Sequence, residues 1–326
     1  MTADNAPKNA HDAVRAKRQK FRELLTGPRC TVMPGGFSPL YAKMAERAGF
    51  ESFFFAGSQM SAFLLGVPDN GFIGLRDVVD HVRHAAAICD IPIFVDCDTG
   101  YGNAVNADYA VREVCRSGAA GMQLEDQEAP KKSATEAGRR CVSLEEHVGK
   151  LKAAVAARNE MDPDFVICAR TDSLGAEQGG FDDALKRSIA YVTEGGADFI
   201  WLNSCETREQ LRRACKEIPA PVFALWANTV EPAPTNQEYA DLGACLVMYP
   251  TIAATWGLQA SWEKLNDMRE QGGSYIDDRA QRKAGSYGKW GPVEQAVLTG
   301  TKRIREIEEK YLTDDAKRDY DNTWGH

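Results

Sequence analysis

The chain alternates short apolar stretches with longer segments in which apolar residues recur every three or four positions. The first pattern predicts buried strands and the second predicts amphipathic helices. The predicted strands are 30–33, 52–56, 92–96, 121–125, 165–170, 198–202, 222–226 and 244–248. The predicted helices are 12–25, 38–48, 74–88, 104–117, 143–158, 181–195 and 206–217. Ser143 and Glu146 have the spacing of a capping box, which supports a helix start there.

The number and length of these units indicate the fold class. Eight strands alternating with helices over about 220 residues is the size of a (β/α)8 barrel. A doubly wound open sheet is the alternative, but no Gly-x-Gly-x-x-Gly run follows the first strand. We therefore predict an α/β protein with a modified (β/α)8 TIM barrel over 1–250, preceded by an N-terminal helix.

The end of the chain departs from this repeat. The pattern predicts two long helices, over 252–271 and 294–311, which are separated by a glycine-rich, basic stretch. Such an appendage packs on its own barrel or on a neighbouring subunit. We therefore expect 251–326 to form a C-terminal helical extension and the protein to be a homo-oligomer.

Composition narrows the class of function. A chain of 326 residues that is 44% hydrophobic can bury a large core. Its net charge of -8 argues against a nucleic-acid partner, because no basic surplus exists to neutralise phosphates. No run reaches the roughly 18 apolar residues that a membrane span needs, and the polar first residues lack the core of a secretion signal. We expect a cytoplasmic protein with no membrane partner.

Acidic residues follow successive strands, where barrel enzymes carry their chemistry. Asp96 and Asp98 are two residues apart, so on a continuing strand their carboxylates would point to one face, roughly 6 to 7 Å apart. Like charges that close need a cation, and Mg²⁺ is the usual one. Glu125 ends the fourth strand and Arg170 ends the fifth. An arginine among several acids predicts a site that binds both a metal and a carboxylate substrate.

Single residues of this group also have structural interpretations. Asp126 or Asp172 alone is typical of a helix N-cap, and Arg170 alone is compatible with a structural salt bridge. Helix caps do not require the Asp96-x-Asp98 pair. The group as a whole therefore favours a functional site.

Five short motifs carry a family resemblance. They are Ala56-Gly-Ser58, Val67-Pro-Asp69, Asp96-Cys-Asp-Thr-Gly-Tyr-Gly-Asn103, Gln123-Leu-Glu-Asp126 and Ala169-Arg-Thr-Asp172. Together they resemble the isocitrate lyase/phosphoenolpyruvate mutase superfamily, including 2-methylisocitrate lyases, dimethylmalate lyases and oxaloacetate decarboxylases. The resemblance implies a barrel that swaps a C-terminal helix between subunits, usually in a homotetramer. It also implies Mg²⁺, or Mn²⁺ in its place, and a small anionic carboxylate as substrate.

Position by position, the resemblance implies roles for individual residues. Those implied at the metal are Asp69, Asp96, Asp98 and Glu125. The predicted substrate contacts are Gly57, Ser58, Gly102, Asn103, Arg170, Asn203 and Asn228. Gly57 and Ser58 would bind the substrate carboxylate and 2-oxygen, and Arg170 would pair with the carboxylate and stabilise negative charge.

The loop after the fourth strand departs from the family's lyases. Those enzymes carry a Lys-Lys/Arg-Cys-Gly-His run whose cysteine transfers a proton, and this chain has Ser133-Ala-Thr135 in its place. A serine hydroxyl is a poor acid or base without help. The catalytic candidates are Arg170, Lys131, Ser133 and Tyr101. The run from Lys131 to Arg139 is also similar to the loop of phosphoenolpyruvate mutases and phosphonopyruvate hydrolases.

We therefore predict a Mg²⁺-dependent carbon–carbon lyase that acts on a small 2-hydroxy or 2-oxo di- or tricarboxylate through a metal-stabilised enolate. Retro-aldol cleavage and decarboxylation share this scheme, and both stay open. The alternative is a P–C bond enzyme of the phosphonopyruvate mutase or hydrolase type. A non-catalytic barrel that binds a carboxylate is a third hypothesis, against which the acid cluster argues.

Overall fold

The strands lie where the apolar pattern predicts them. The structure, a computed structural model, describes residues 9–226, 232–272 and 298–320. Its strands are β1 Thr31–Gly36, β2 Phe53–Phe55, β3 Ile93–Asp96, β4 Gly121–Glu125, β5 Val166–Thr171, β6 Phe199–Leu202, β7 Phe223–Leu225 and β8 Leu246–Tyr249. All eight predicted strands are confirmed, with ends moved by a few residues.

The helices follow the same alternation. They are α1 Ala10–Thr26, α2 Pro39–Ala48, α3 Gly57–Met60, α4 Leu75–Ile88, α5 Ala104–Arg116, α6 Leu144–Met161, α7 Phe181–Thr193, α8 Arg208–Glu217, α9 Asn236–Asp241, α10 Ile252–Gln271 and α11 Thr301–Tyr311. A π-helical turn, Ser61–Leu65, and a 3-10 turn, Ser173–Gly175, add to these. The Ser143 hydroxyl accepts from the Glu146 N–H at 3.1 Å, which confirms the predicted start of α6. The short α3 and α9 were not predicted, because they span too few residues to show a helical period.

The strands form one parallel sheet in the order β6-β5-β4-β3-β2-β1-β8-β7. A bridge between Ile200 and Val222 joins β6 to β7, and the Ile200 N–H donates to the Pro221 carbonyl at 3.0 Å. The ring of strands thus closes as a (β/α)8 barrel. This confirms the predicted fold class over the doubly wound sheet.

Alternate residues of each strand face two different cores. Phe54 points into the barrel with Phe94 and Phe199, whereas Phe53 and Phe55 pack against the helices. Inside the barrel the Phe54 and Phe94 rings are 5.6 Å apart, and those of Phe94 and Phe199 are 5.4 Å apart. The barrel is therefore filled, and space for chemistry is left at its ends.

Helix α1 covers the amino-terminal end of the barrel. Its Phe21 ring lies 5.4 Å from Phe94, and its buried Arg18 binds Asp162 at 2.7 Å through Nη1 and Oδ2. Arg18 Nε also donates to the carbonyl of Ala119, just before β4. Because this end is closed, the carboxyl ends of the strands are the ones left for a site.

The chain divides into two compact units, Met1–Gly257 and Leu258–His326. The predicted helix over 252–271 is confirmed as α10, and the helix predicted over 294–311 begins at Thr301, with 294–297 outside the described residues. Exchange of a helix between subunits stays a prediction. Within the described ranges, no helix is long and apolar enough to span a membrane.

Candidate active site

Asp96 is held at the end of β3 by three hydrogen bonds. Its Oδ2 accepts from the Gly57 N–H at 3.0 Å, and its Oδ1 accepts from the Asp98 N–H at 3.1 Å and from Gln123 Nε2. A Cβ on Gly57 would lie 2.9 Å from Asp96 Oδ2, so this close approach requires glycine. The predicted Gly57 anion contact is thus made to a carboxylate of the protein itself.

Asp98 differs from its predicted setting. Strand β3 ends at Asp96, and Asp98 lies in the following turn with a φ of 47°. The sequence premise of two carboxylates on one strand face is therefore wrong. The turn is fixed because the Glu125 N–H donates to the Asp98 carbonyl at 2.9 Å and the Gly100 N–H donates to the Cys97 carbonyl at 2.9 Å. It places the Asp98 carboxylate near the end of β4.

Lys131 lies at the centre of the acids. Its Nζ is 2.8 Å from Asp69 Oδ1, 2.7 Å from Asp98 Oδ1 and 3.9 Å from Glu125 Oε1. We call Asp69, Asp98 and Glu125 the acid cluster. The Lys131 side chain is only 2% exposed, so these ion pairs are buried. The cation that the sequence requires among the acids is thus supplied, in this arrangement, by the loop after β4.

Burial sets the protonation of this group. It raises the pKa of Asp98 to about 7, although Lys131 lowers it. It also raises the pKa of Glu125 well above its usual value, against the lowering by Arg170 and Lys131. For Lys131 burial lowers the pKa, but the carboxylates, Glu125 first, raise it further, and the net shift is upward. Lys131 is therefore an ammonium ion at neutral pH.

The donor atoms of the acid cluster are those a hard divalent cation requires. They are carboxylate oxygens, and the buried Asp98 Oδ2 accepts no hydrogen bond. In the described part of the chain, no three His, Cys, Asp or Glu side chains are spaced to hold a metal as they stand. The cluster therefore fits Mg²⁺ by its chemistry, and Lys131 would have to withdraw from the central position. Asp96 is less open, since both its oxygens already accept hydrogen bonds.

Arg170 extends the charged site along β5. Its Nη1 is 3.0 Å from Glu125 Oε2, and its Nε and Nη2 bind the two oxygens of Asp172 at 2.8 and 3.0 Å. The guanidinium lies 4.2 Å from the centre of the Trp201 ring. Burial raises the pKa of Asp172, but Arg170 lowers it more, so the net pKa is below its usual value. Arg170 is thus fixed on three sides before any substrate binds.

Asp172 collects further partners from distant segments. Its Oδ1 accepts from Arg139 Nη1 at 2.9 Å and from Asn203 Nδ2 at 2.6 Å. Its side chain makes no helix-cap hydrogen bond. Asp126 is also buried and accepts from the Thr171 hydroxyl at 2.7 Å. The cap interpretation of these two aspartates is therefore wrong.

The other predicted residues are placed as follows. The Ser133 hydroxyl contacts the Thr135 hydroxyl at 3.2 Å, within its own loop. Tyr101 has a buried hydroxyl that neighbours the thiol of Cys97. Asn103 is exposed and caps α5, accepting from the Val105 N–H at 3.0 Å. Ser58 is partly buried and Gly102 is exposed, whereas Asn228 lies outside the described residues.

Sequence reasoning missed three residues of the site. Gln123 orients Asp96, Arg139 binds Asp172, and Trp201 supports Arg170. Gln123 had a usable signal, because it precedes Glu125 by two positions on the same strand and so shares its face. Arg139 belongs to the Lys131–Arg139 loop that the resemblance singles out, but its pairing with Asp172 had no signal in the sequence, and neither had the contact of Trp201 with Arg170.

A buried cluster of opposite charges at the carboxyl ends of barrel strands defines a (β/α)8 enzyme. Residues 21–269 match the family described as phosphoenolpyruvate phosphomutase, and the chain belongs to that family. It is 37% identical to 2,3-dimethylmalate lyase of Eubacterium barkeri over 301 residues, which cover 90% of this chain and 98% of that one. It is 36% identical to 2-methylisocitrate lyase of Aeropyrum pernix over 256 residues, covering 77% and 80% of the two chains.

Among solved structures, a phosphonopyruvate hydrolase in complex with oxalate and Mg²⁺ is similar, with a TM-score of 0.78 and 32% identity. The match covers 91% of this chain and 99% of that one. The predicted family and enzyme class are therefore confirmed. Its relatives are carbon–carbon lyases, and P–C bond enzymes are among its structural neighbours.

Proposed function

We propose that the protein is a Mg²⁺-dependent carbon–carbon lyase acting on a small 2-hydroxy or 2-oxo di- or tricarboxylate, by retro-aldol cleavage or decarboxylation. The observation that carries this proposal is the ring of Asp69, Asp98 and Glu125 around one cation position, with Arg170 bound to Glu125 beside it. Such a site offers places for a metal and for an anionic substrate together.

The acid cluster would hold the metal, with Asp96 beside it. When bound, Mg²⁺ supplies a Lewis acid that offsets the charge developing on the substrate oxygens. Gly57 and Gln123 fix the orientation of Asp96, so the carboxylates need little rearrangement at the moment of reaction. The structural neighbour in complex with oxalate and Mg²⁺ supports a metal and a small carboxylate as ligands of this chain.

Arg170 and Lys131 would bind the negative charges of the substrate. Arg170 is held by Asp172 and Glu125, so its guanidinium is oriented in advance. Lys131 keeps its proton, and once withdrawn from the acids it can pair with a substrate carboxylate. Both residues therefore stabilise an anion without giving up a proton.

Proton transfer is the least familiar part of the proposed mechanism. Ser133 contacts Thr135, and its own N–H donates to Glu136 at 3.1 Å, so no base activates its hydroxyl there. Burial raises the pKa of Tyr101 well above its usual value, so its Oη stays protonated. We propose Tyr101, or water, as the donor that protonates the carbanion left by bond cleavage.

The second candidate is P–C bond chemistry. It is favoured by the loop from Lys131 to Arg139 and by the similarity to phosphonopyruvate hydrolase. In this structure Arg139 binds Asp172 at 2.9 Å and is therefore part of the charged network around Arg170.

One panel assay tests both candidates. The protein is incubated with Mg²⁺ and, separately, with oxaloacetate, 2-methylisocitrate, 2,3-dimethylmalate and phosphonopyruvate, and products are followed by proton and phosphorus NMR. We expect the wild-type protein to cleave at least one of the C–C substrates and the Asp98→Asn control to cleave none of them. Turnover of phosphonopyruvate alone would overturn the proposal, and Mg²⁺-dependent binding without turnover would favour the carboxylate-binding barrel.

We also propose a cytoplasmic homotetramer. Trp256, Trp262 and Leu265 of α10 are each more than half exposed, which supports burial against another subunit. Sedimentation equilibrium should give about four times the chain mass of 35.8 kDa. A monomer would contradict the assembly without affecting the proposed chemistry.

A further inference from the structure

A cavity lies between β6 and β7, toward the carboxyl ends of these strands. In the described residues, the ladder between the two strands is the single bridge of Ile200 and Val222. Beyond it the strands separate, and a space of about 130 Å³ opens between them. Leu202 of β6, Phe223 and Leu225 of β7, and Leu211 of α8 form its walls. The loop after β4 covers it with Ala134.

The walls of this cavity are mainly hydrocarbon. None of the described residues that line it carries a charge. A dry cavity of about 150 Å³ in another protein binds benzene, and a water occupies about 30 Å³, so this space suits roughly four non-hydrogen atoms. Polar side chains also line it, namely Thr135, Ser204, Tyr239 and Asn203, and the buried Oδ1 of Asn203 has no hydrogen-bond partner.

The cavity adjoins the charged site from two directions. Asn203 donates to Asp172 at 2.6 Å, and Asp172 in turn binds Arg170. On the other side, Ala134 follows Lys131 by three residues, which a chain can separate by at most about 11 Å. A substrate bound at Arg170 and the acid cluster can therefore reach the cavity with a side group.

We propose that this cavity receives an alkyl substituent of about three to four carbons on the substrate. On the basis of the proposed function, the enzyme would prefer a 2-hydroxy dicarboxylate alkylated at C3. A third carboxylate in the cavity would lose its hydration among uncharged side chains, and Arg139, which reaches the lining residue Ser204 at 3.2 Å, is already paired with Asp172, so tricarboxylates are disfavoured. The unpaired Asn203 Oδ1, buried in the cavity wall, would accept a hydrogen bond from the substrate hydroxyl.

The test is a substrate series at fixed Mg²⁺. Malate and its 3-methyl, 3-propyl and 3-carboxymethyl derivatives are compared by kcat/KM. Burying each methylene should raise kcat/KM by about fourfold up to propyl, and the carboxymethyl compound should be the poorest. Equal rates for the series, or a preference for the carboxymethyl compound, would overturn the proposal while leaving the lyase function intact.

Two alanine variants in the same loop provide a matched pair. Ala134→Leu fills the cavity, whereas Ala137→Leu adds the same group at an exposed position. The propyl-to-malate ratio of kcat/KM should fall at least tenfold in Ala134→Leu and stay within twofold of wild type in Ala137→Leu. Equal ratios in the two variants would show that the alkyl group lies elsewhere.

Binding measurements test the cavity as an alkyl site independently of the proposed lyase function. If no compound in the series is cleaved, calorimetry with malonate and butylmalonate decides the matter. Tighter binding of butylmalonate by wild type and Ala137→Leu, lost in Ala134→Leu, would retain the cavity as an alkyl site. Equal affinity for the two malonates would overturn it.

Discussion

Asp172→Asn tests whether the charged network around Arg170 organises the site. The change keeps the shape of the side chain but removes the charge that holds Arg170 and Arg139. One of its oxygens also becomes an NH₂ donor, which then faces another donor: either the guanidinium of Arg170 or the Nδ2 of Asn203. At least one hydrogen bond that Asp172 now accepts must therefore be lost.

The expected cost follows from burial. Asp172 is fully buried and accepts four hydrogen bonds of 2.6 to 3.0 Å. Removing one partner of a buried ion pair typically costs about 3 to 5 kcal/mol of unfolding free energy. Asp183 is a matched control, because its 38% exposed carboxylate binds Arg187 at 2.7 Å. Because this pair is partly exposed to water, Asp183→Asn should cost less than Asp172→Asn, about 1 kcal/mol.

Urea unfolding followed by tryptophan fluorescence measures both variants, and the substrate panel measures their activity. Asp172→Asn should also lower kcat/KM by about 100-fold, because a misplaced Arg170 no longer matches the substrate carboxylate. A loss of unfolding free energy below about 1 kcal/mol, or one equal to that of Asp183→Asn, would refute the reasoning.

Four further predictions concern the acid cluster, the loop and the closed end of the barrel. Asp98→Asn should abolish turnover without lowering the thermal midpoint at pH 8, because burial raises the pKa of Asp98 to about 7 and its ionised form opposes folding. Removing metal with a chelator should stop turnover, and added Mg²⁺ should restore it; full activity after dialysis against chelator would exclude the metal. Ser133→Ala should leave kcat within about threefold, because its recorded partners lie in its own loop, and a loss beyond about 100-fold would make Ser133 the proton-transfer group. Burial raises the pKa of Asp162, but hydrogen bonds from Arg18 and the Asp164 N–H lower it more; its stabilisation is therefore present above pH about 4 and lost below it. Asp162→Asn should cost about 3 kcal/mol at pH 7. The difference from wild type should shrink progressively as the pH falls below about 4, as thermal scans at pH 7 and at acid pH would show.

The barrel could be predicted because each strand and each long helix has its own apolar period. Ala104–Arg116 and Gly121–Glu125 were placed almost to the residue, since a capping residue or a glycine marks their ends. The short α3 and α9 were missed because four and six residues cannot display a period of 3.6. What the pattern predicts is therefore limited by element length.

The site was predictable only where its residues are close in sequence. Asp96 and Asp98 stand in one motif, and their proximity needs no tertiary information. The turn that rotates Asp98 away from the strand depends on a hydrogen bond from Glu125, in the next strand. Asp172 was open to a cap interpretation because its partners Arg139 and Asn203 lie 33 and 31 residues away. Tertiary packing decides such contacts, and local sequence does not encode them.

The contacts of α1 at the amino-terminal end of the barrel affect the order of folding. Arg18 binds the carbonyl of Cys115 and the carboxylate of Asp162, 97 and 144 residues later in the chain. At about 5 to 20 residues per second, a ribosome needs roughly 7 to 30 s to synthesise that stretch. During this time the apolar face of α1, with Phe21 and Leu24, has no barrel to cover. Helix α1 precedes the barrel strands in the chain but can dock only after Asp162 has been made, and its apolar face must be kept from aggregating until then.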